Sequence, residues 1–222
     1  MSKPYNRFAG QSPERLAALS DGIFAVAMTL LVLNLHVPFV KGISGIEEPF
    51  LSSNSINAEL ALLHGLASLL SELVPYLMSF LTLGIFWVGQ QTQLNYFTHT
   101  DRDLAWMHLG FLLAVTLMPF STGLLAAFIT LRIALVVYWL NILLLGTMLF
   151  VSWSYAERAG LVQDDLPTEM GKAVKRRIVI AQSLYTLGAL LCLINTYVSI
   201  VVIVLIQLNY AIAPRIRPLY RI

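Results

Sequence analysis

The chain has 222 residues, 58% hydrophobic and 12% charged, with a mean hydropathy of +0.75 and a formal net charge of +2. Soluble domains run at about 45–50% apolar and ~25% charged, and ~30% of the surface of a globule this size would stay in contact with water. These figures exclude an ordinary soluble protein and a disordered one, while the single cysteine, Cys192, excludes an internal disulfide and a cysteine-rich zinc site. The chain reads as an all-α integral membrane protein.

At the N-terminus, Lys3, Arg7 and Arg15 precede an apolar run, and Ala25-Val26-Ala27 mimics the small-x-small site of a cleaved leader. Asp21 interrupts the stretch before that site, and the run continues to Leu35, so the segment reads as a first transmembrane helix. A crossing needs ~20 mostly apolar residues. Six segments qualify: 16–36, 73–97, 104–126, 131–155, 177–194 and 197–213. The last two divide one stretch, 178–213, which is too long for one crossing and long enough for two short ones turning near Asn195. No period-2 alternation points to strands.

Charge supports that count. With six crossings and both ends in the cytoplasm, Lys3, Arg7, Arg15, Arg102, Arg158, Lys172, Lys175, Arg176, Arg177, Arg215, Arg217 and Arg221 all lie inside, 12 of the 14 Lys and Arg. Lys41 and Arg132 fall outside. Residues 37–58 form an outer loop with Glu47 and Glu48; residues 59–72 read as a helical lead-in that Pro75 bends; residues 156–176 form a cytoplasmic loop. No soluble segment is long enough to fold alone, so residues 1–222 are one six-helix transmembrane domain and function lies within the bundle.

The first helix is the informative one. At 100° per residue Gly22, Val26, Thr29 and Leu33 form a narrow apolar stripe with Leu30 and Val37 beside it, and Asp21 stands roughly 120° away. Periodicity alone leaves two readings open: a stripe that packs helices with Asp21 as a satisfied structural acid, or a functional face. The wording of the helix carries more. Arg15-x-x-x-Leu19-Ser20-Asp21 resembles the Arg-x-x-x-Phe-Ser-Asp motif that opens the first helix in the transmembrane protein 175 family of potassium channels. The run from Gly22 to Leu33 continues the likeness, as do Tyr76 to Phe80, Phe86-Trp87, Trp106, Leu117-Met118-Pro119-Phe120 and Tyr138-Trp139-Leu140-Asn141.

The resemblance implies a six-helix subunit of a potassium-channel fold without a carbonyl selectivity filter. With one copy of the motif, the chain is similar to bacterial, single-repeat members, which assemble as homotetramers in the inner membrane. It implies a central pore lined by the first helix, with a hydrophobic constriction at Val26, Leu30 and Leu33 and a selectivity-influencing hydroxyl at Thr29. Four apolar side chains can close such a pore by dewetting, and a ring of hydroxyls offers oxygen dipoles to a partly dehydrated cation, for modest potassium selectivity. Arg15, Leu19, Ser20 and Asp21 are then scaffold, with Arg15, Trp87 and Gln90 as donors to a buried Asp21. Potassium is the permeant ion, and no cofactor, metal site or nucleic-acid partner is implied. Three departures from the family stand out: Leu19 replaces Phe, Gln90 and Gln91 stand where histidines are frequent, and Asn34 stands at the outer pore mouth where an acid is frequent. The glutamines keep hydrogen bonding and lose titration near neutral pH.

Elsewhere, His108 and Asn141 read as inter-helix hydrogen bonders, and His36, His64 and His99 as interfacial groups. Trp106, Trp139 and Trp153 read as interfacial anchors or packing residues, and Arg132 as a snorkelling side chain. Lys172, Lys175, Arg176 and Arg177 form a topology signal with affinity for anionic lipid. A secondary cation or proton transporter is the main rival, yet the halves lack matching broken helices. An intramembrane enzyme would need a nucleophile-base pair or clustered carboxylates, and Asp21 and Glu72 are the only acids near membrane depth. A structural membrane protein without transport is the third alternative.

Overall fold

A computed structural model describes residues 12–38, 53–163 and 167–212 of the chain. Lys3, Arg7, Lys41, Glu47, Glu48, Arg215, Arg217 and Arg221, which enter the charge count and the outer loop, lie outside these residues. The described residues form eight α-helices. Helix α1 (Pro13–Leu30) begins with a proline, whose missing N–H would be unpaired there anyway, and tightens into a 3-10 turn (Leu31–Asn34). Helix α2 (Ser53–Ser68) is followed after Leu69 by α3 (Leu70–Leu94). The lead-in is thus a helix of its own, and the interruption falls at Leu69, ahead of Pro75, which is accommodated inside α3. Helices α4 (Arg102–Thr116) and α5 (Met118–Ala127) run on from one another, interrupted at Leu117 just before Pro119. Asp101 caps α4 by accepting from the Leu104 N–H at 2.9 Å.

Helix α6 (Arg132–Ala159) ends at Gly160, whose φ of +66° supplies the left-handed residue that closes a helix C-terminus. Helix α7 (Thr168–Leu190) leads through a 3-10 turn (Leu191–Leu193) to α8 (Thr196–Ile212), and Asn195 Oδ1 caps α8 by accepting from the Tyr197 N–H at 2.8 Å. The turn expected near Asn195 is therefore present. The fifth segment, in contrast, starts well before 177. Lys172, Lys175, Arg176 and Arg177 lie on helix rather than loop, because Lys175 pairs with Glu157 on α6 and Lys172 with Glu169 one turn away, which satisfies polar first turns.

Among the described residues, five helical segments are long and apolar enough to cross a membrane: Pro13–Asn34, Leu70–Leu94, Arg102–Ala127, Arg132–Ala159 and Glu169–Leu193. Thr196–Ile212 is a shorter apolar helix of 17 residues. This is a multi-pass, all-helical membrane protein. Helix α6 is central, packing against α4, α5 and α7, while α1 rests on α3 and α4. Leu135, Tyr138, Ile142 and Leu145 of α6 are fully buried against Met78 and Leu83 of α3, Val115 of α4 and Leu125 of α5.

A buried polar chain crosses this core. Thr122 Oγ1 donates to Ser79 Oγ (2.6 Å), Ser79 Oγ approaches Tyr138 OH (3.4 Å), and Tyr138 OH lies 3.1 Å from Thr82 Oγ1, which accepts from Gln207 Nε2 (2.8 Å). It joins α3, α5, α6 and α8 through groups that would otherwise be unpaired in hydrocarbon. Asn141 is an inter-helix bonder: with both ends of its amide satisfied it donates to the Ala114 carbonyl (3.0 Å) and accepts from Ser121 Oγ (3.2 Å). His108 is not. Its buried ring has no hydrogen-bond partner among the described residues and packs beside Phe111, because it shares the apolar face of α4 with Leu104, Phe111 and Leu112. Trp153 is wholly buried, stacked on Phe97 with Nε1 donating to Glu157 Oε1 at 2.7 Å, whereas Trp106 is exposed.

Candidate functional site

Helix α1 has two faces. Ser20, Phe24, Ala27 and Leu31, spaced by three and four, are buried. Phe24 packs on Phe111 of α4 with ring centroids 6.0 Å apart, and Phe111 packs in turn on Phe86 of α3 at 6.4 Å. The opposite face carries Gly22, Val26, Thr29 and Leu33, all exposed; Val26 is 57% and Leu33 70% accessible, against 0% for Leu31. Leu30 and Leu19 are also exposed. Ala18, Gly22, Val26 and Leu30 line an open, nearly apolar groove of 430 Å³ whose far wall includes Thr116 of α4. The stripe read from the sequence thus lies within the part of α1 that no other described helix covers.

Thr29 Oγ1 donates to the Val26 carbonyl at 2.8 Å. Its proton is committed to the backbone, so the oxygen has only lone pairs to offer to the exposed side.

Two clasps hold the start of α1 on α3. Ser20 Oγ donates to the Leu16 carbonyl (2.8 Å) and accepts from Gln90 Nε2 (2.7 Å), with both side chains wholly buried. Asp21 Oδ1 accepts from Trp87 Nε1 and from Gln91 Nε2, each at 2.7 Å. This corrects three expectations. Asp21 is exposed rather than buried within the single chain. Gln90 serves Ser20, and the amide on Asp21 is that of Gln91, since Trp87 and Gln91 are four residues apart on one face of α3 while Gln90 is turned ~100° from its neighbour. Arg15 is exposed and forms no ion pair with Asp21, because six residues of helix set the two side chains about 120° apart.

The other end of α1 is fastened too. Asn34 Nδ2 donates to the Pro119 carbonyl at 3.1 Å, and the chain packs so closely there that a Cβ placed on Gly123 would stand 2.7 Å from Asn34 Oδ1. Asn34 is half-buried and engaged with α5 rather than open. Two residues on, the His36 N–H donates to Glu72 Oε2 at 2.9 Å, with the His36 ring 3.4 Å from the same oxygen. The sequence had marked Glu72 as one of two acids near membrane depth, but nothing in it pairs Glu72 with residue 36.

The sequence model of the family described as endosomal/lysosomal potassium channel TMEM175 matches residues 15–119, a range that holds α1, its clasps on α3 and Pro119. The chain is 28% identical over 203 residues to a potassium channel of Streptomyces collinus, covering 88% of this chain and 90% of that one. It is 26% identical over 202 residues to a potassium channel of Chamaesiphon minutus, covering 89% and 93%. Among solved structures, the crystal structure of a lysosomal potassium-selective channel TMEM175 homolog from Chamaesiphon minutus superposes with a TM-score of 0.73 and 25% identity, covering 90% of this chain and 97% of that one.

Proposed function

We propose that the chain, whose residues 15–119 match the TMEM175 family model and which is similar over most of its length to proteins named potassium channels, is a potassium-selective cation channel conducting passively through a central pore lined by α1. The observation that carries this reading is the uncovered stripe of α1: a face of Gly22, Val26, Thr29 and Leu33 backed by a helix fastened at both ends. Four copies facing one another would set Val26, Leu30 and Leu33 as stacked apolar rings, which close a pore by excluding water. Thr29 then contributes a ring of hydroxyl oxygens whose protons are already used, favouring the more readily dehydrated potassium over sodium. Asn34 stands at the mouth. Ser20, Asp21, Trp87, Gln90 and Gln91 keep the wall in place rather than form it, whereas Leu19 lies exposed beside the stripe.

The same reading takes residues 1–222 as one channel domain with six crossings, α8 supplying the sixth, in an inner membrane with both termini cytoplasmic. At 1.5 Å per residue α8 spans about 26 Å, short but sufficient for a slightly thinned bilayer. The relatives named as potassium channels cover nearly the whole chain, which supports a shared activity.

The test is ionophore-triggered flux from potassium-loaded liposomes holding the purified protein, with potassium or sodium outside. Potassium-favouring flux that loses its preference in Thr29→Ala and gains a leak in Val26→Ala supports the reading. Folded, oligomeric protein without flux overturns it, and equal sodium flux overturns the role of Thr29.

A further inference from the structure

We propose that Glu72 supplies the fixed negative charge at the Asn34 end of the pore, an assignment that rests on the channel reading above. At this end of α1 Asn34 is neutral and its amide is engaged with the Pro119 carbonyl. The 3-10 turn Leu31–Asn34 and helix α5, which pack together there, carry no carboxylate. Glu72 arrives from another helix. It sits in the first turn of α3 and accepts from the His36 N–H at 2.9 Å, so an acid 36 positions away in the chain is fastened two residues beyond Asn34.

One feature suits it to the role. Its side chain is 26% exposed, so one oxygen is held by the backbone while the group still reaches water. Rings of carboxylates at a pore mouth concentrate cations in the vestibule over a Debye length, without touching the permeating ion.

The experiment is single-channel potassium conductance in planar bilayers for the wild type, Glu72→Gln and Glu72→Asp. It is run in about 20 mM KCl, where screening extends over ~20 Å, and in about 1 M KCl, where it extends over ~3 Å. Glu72→Gln keeps an acceptor for the His36 N–H, so it removes the charge while retaining the tether. Its conductance is expected to fall at least about twofold in low salt and to converge with the wild type in high salt, with Glu72→Asp close to the wild type in both. Equal conductance of Glu72→Gln and the wild type in low salt overturns the assignment and leaves the channel reading standing, as does a deficit of the same size at both salt concentrations. A wild type that passes no potassium overturns both.

Discussion

Gln90 of α3 donates to Ser20 of α1 at 2.7 Å with neither side chain exposed to solvent. Gln91, the next residue, donates at the same distance to Asp21, the next residue on α1, and that second contact lies in the open. Consecutive residues on two helices thus make one dry clasp and one wet clasp. The dry clasp fixes the depth at which α1 seats on α3. The wet one, with Trp87, fixes its rotation, and so decides which residues face away from the chain.

The dry clasp predicts a measurable coupling. Removing Ser20 Oγ leaves the Gln90 Nε2 group unpaired, and removing the Gln90 amide leaves Ser20 only its bond to the Leu16 carbonyl; inter-helix hydrogen bonds in membrane proteins contribute about 0.6 kcal/mol on average and up to about 1.7. Ser20→Ala and Gln90→Leu are each expected to lower the thermal midpoint of the detergent-purified protein. The double variant is expected to cost less than the sum of the two. Strict additivity would mean that the two side chains do not act on one another.

At the wet clasp the charge matters less than the acceptor. Asp21→Asn retains an oxygen for Trp87 Nε1 and Gln91 Nε2, whereas Asp21→Ala retains none. Because the carboxylate is exposed, its charge is worth about 1 kcal/mol or less. Asp21→Asn is therefore expected to keep the size-exclusion profile and the tryptophan emission of the wild type, and Asp21→Ala to alter both. Equal damage in both variants would assign the role to the charge.

Much of this was legible in the sequence, for physical reasons that also mark where legibility ended. Long apolar runs located the membrane helices because hydrocarbon length imposes them, and helical periodicity separated the Val26 face from Asp21. Asn195 was readable as a turn because a stretch of that length cannot cross once. The start of α7 was not: its polar first turns look like loop until Glu157, on another helix, is seen to pair with Lys175. Of the donors read for Asp21 only Trp87 bonds it; Gln91 takes the place expected of Gln90, since the two differ by a rotation that α3 alone does not fix. The approach of Glu72 to His36 depends on two chain segments meeting in space, which no local pattern records. His108 misled for the opposite reason, a polar residue whose face is apolar throughout.

Close packing between α6 and α7 gives a further prediction. Gln182 Nε2 donates to the Ile142 carbonyl at 3.2 Å, and its side chain lies directly over Gly146 where a Cβ would collide with it. Gly146→Ala must push the amide off Ile142, and overpacking of this kind typically costs about 1–3 kcal/mol. A clear fall in thermal midpoint is expected, largely reversed in Gly146→Ala/Gln182→Ala, where the obstacle is gone. A Gly146→Ala protein as stable as the wild type would show that α7 yields freely at this contact.

The contact of Gly123 with Asn34 has a consequence for the end of α1. A methyl group at Gly123 would meet Asn34 Oδ1 at 2.7 Å and drive the amide from the Pro119 carbonyl, releasing the 3-10 turn that carries Leu33. Stability is expected to fall by only about 1 kcal/mol, the scale of one inter-helix hydrogen bond. Under the channel reading the effect on conduction is larger, because Leu33 is the last apolar position of the constriction and its placement follows the turn. Single-channel recordings of Gly123→Ala are expected to show altered conductance in protein that still folds and assembles. Adding Asn34→Ala removes the collision, so the double variant is expected to match Asn34→Ala alone rather than combine both defects. If Gly123→Ala conducts like the wild type, the turn at Leu33 is held by contacts other than Asn34, and the constriction does not depend on this latch.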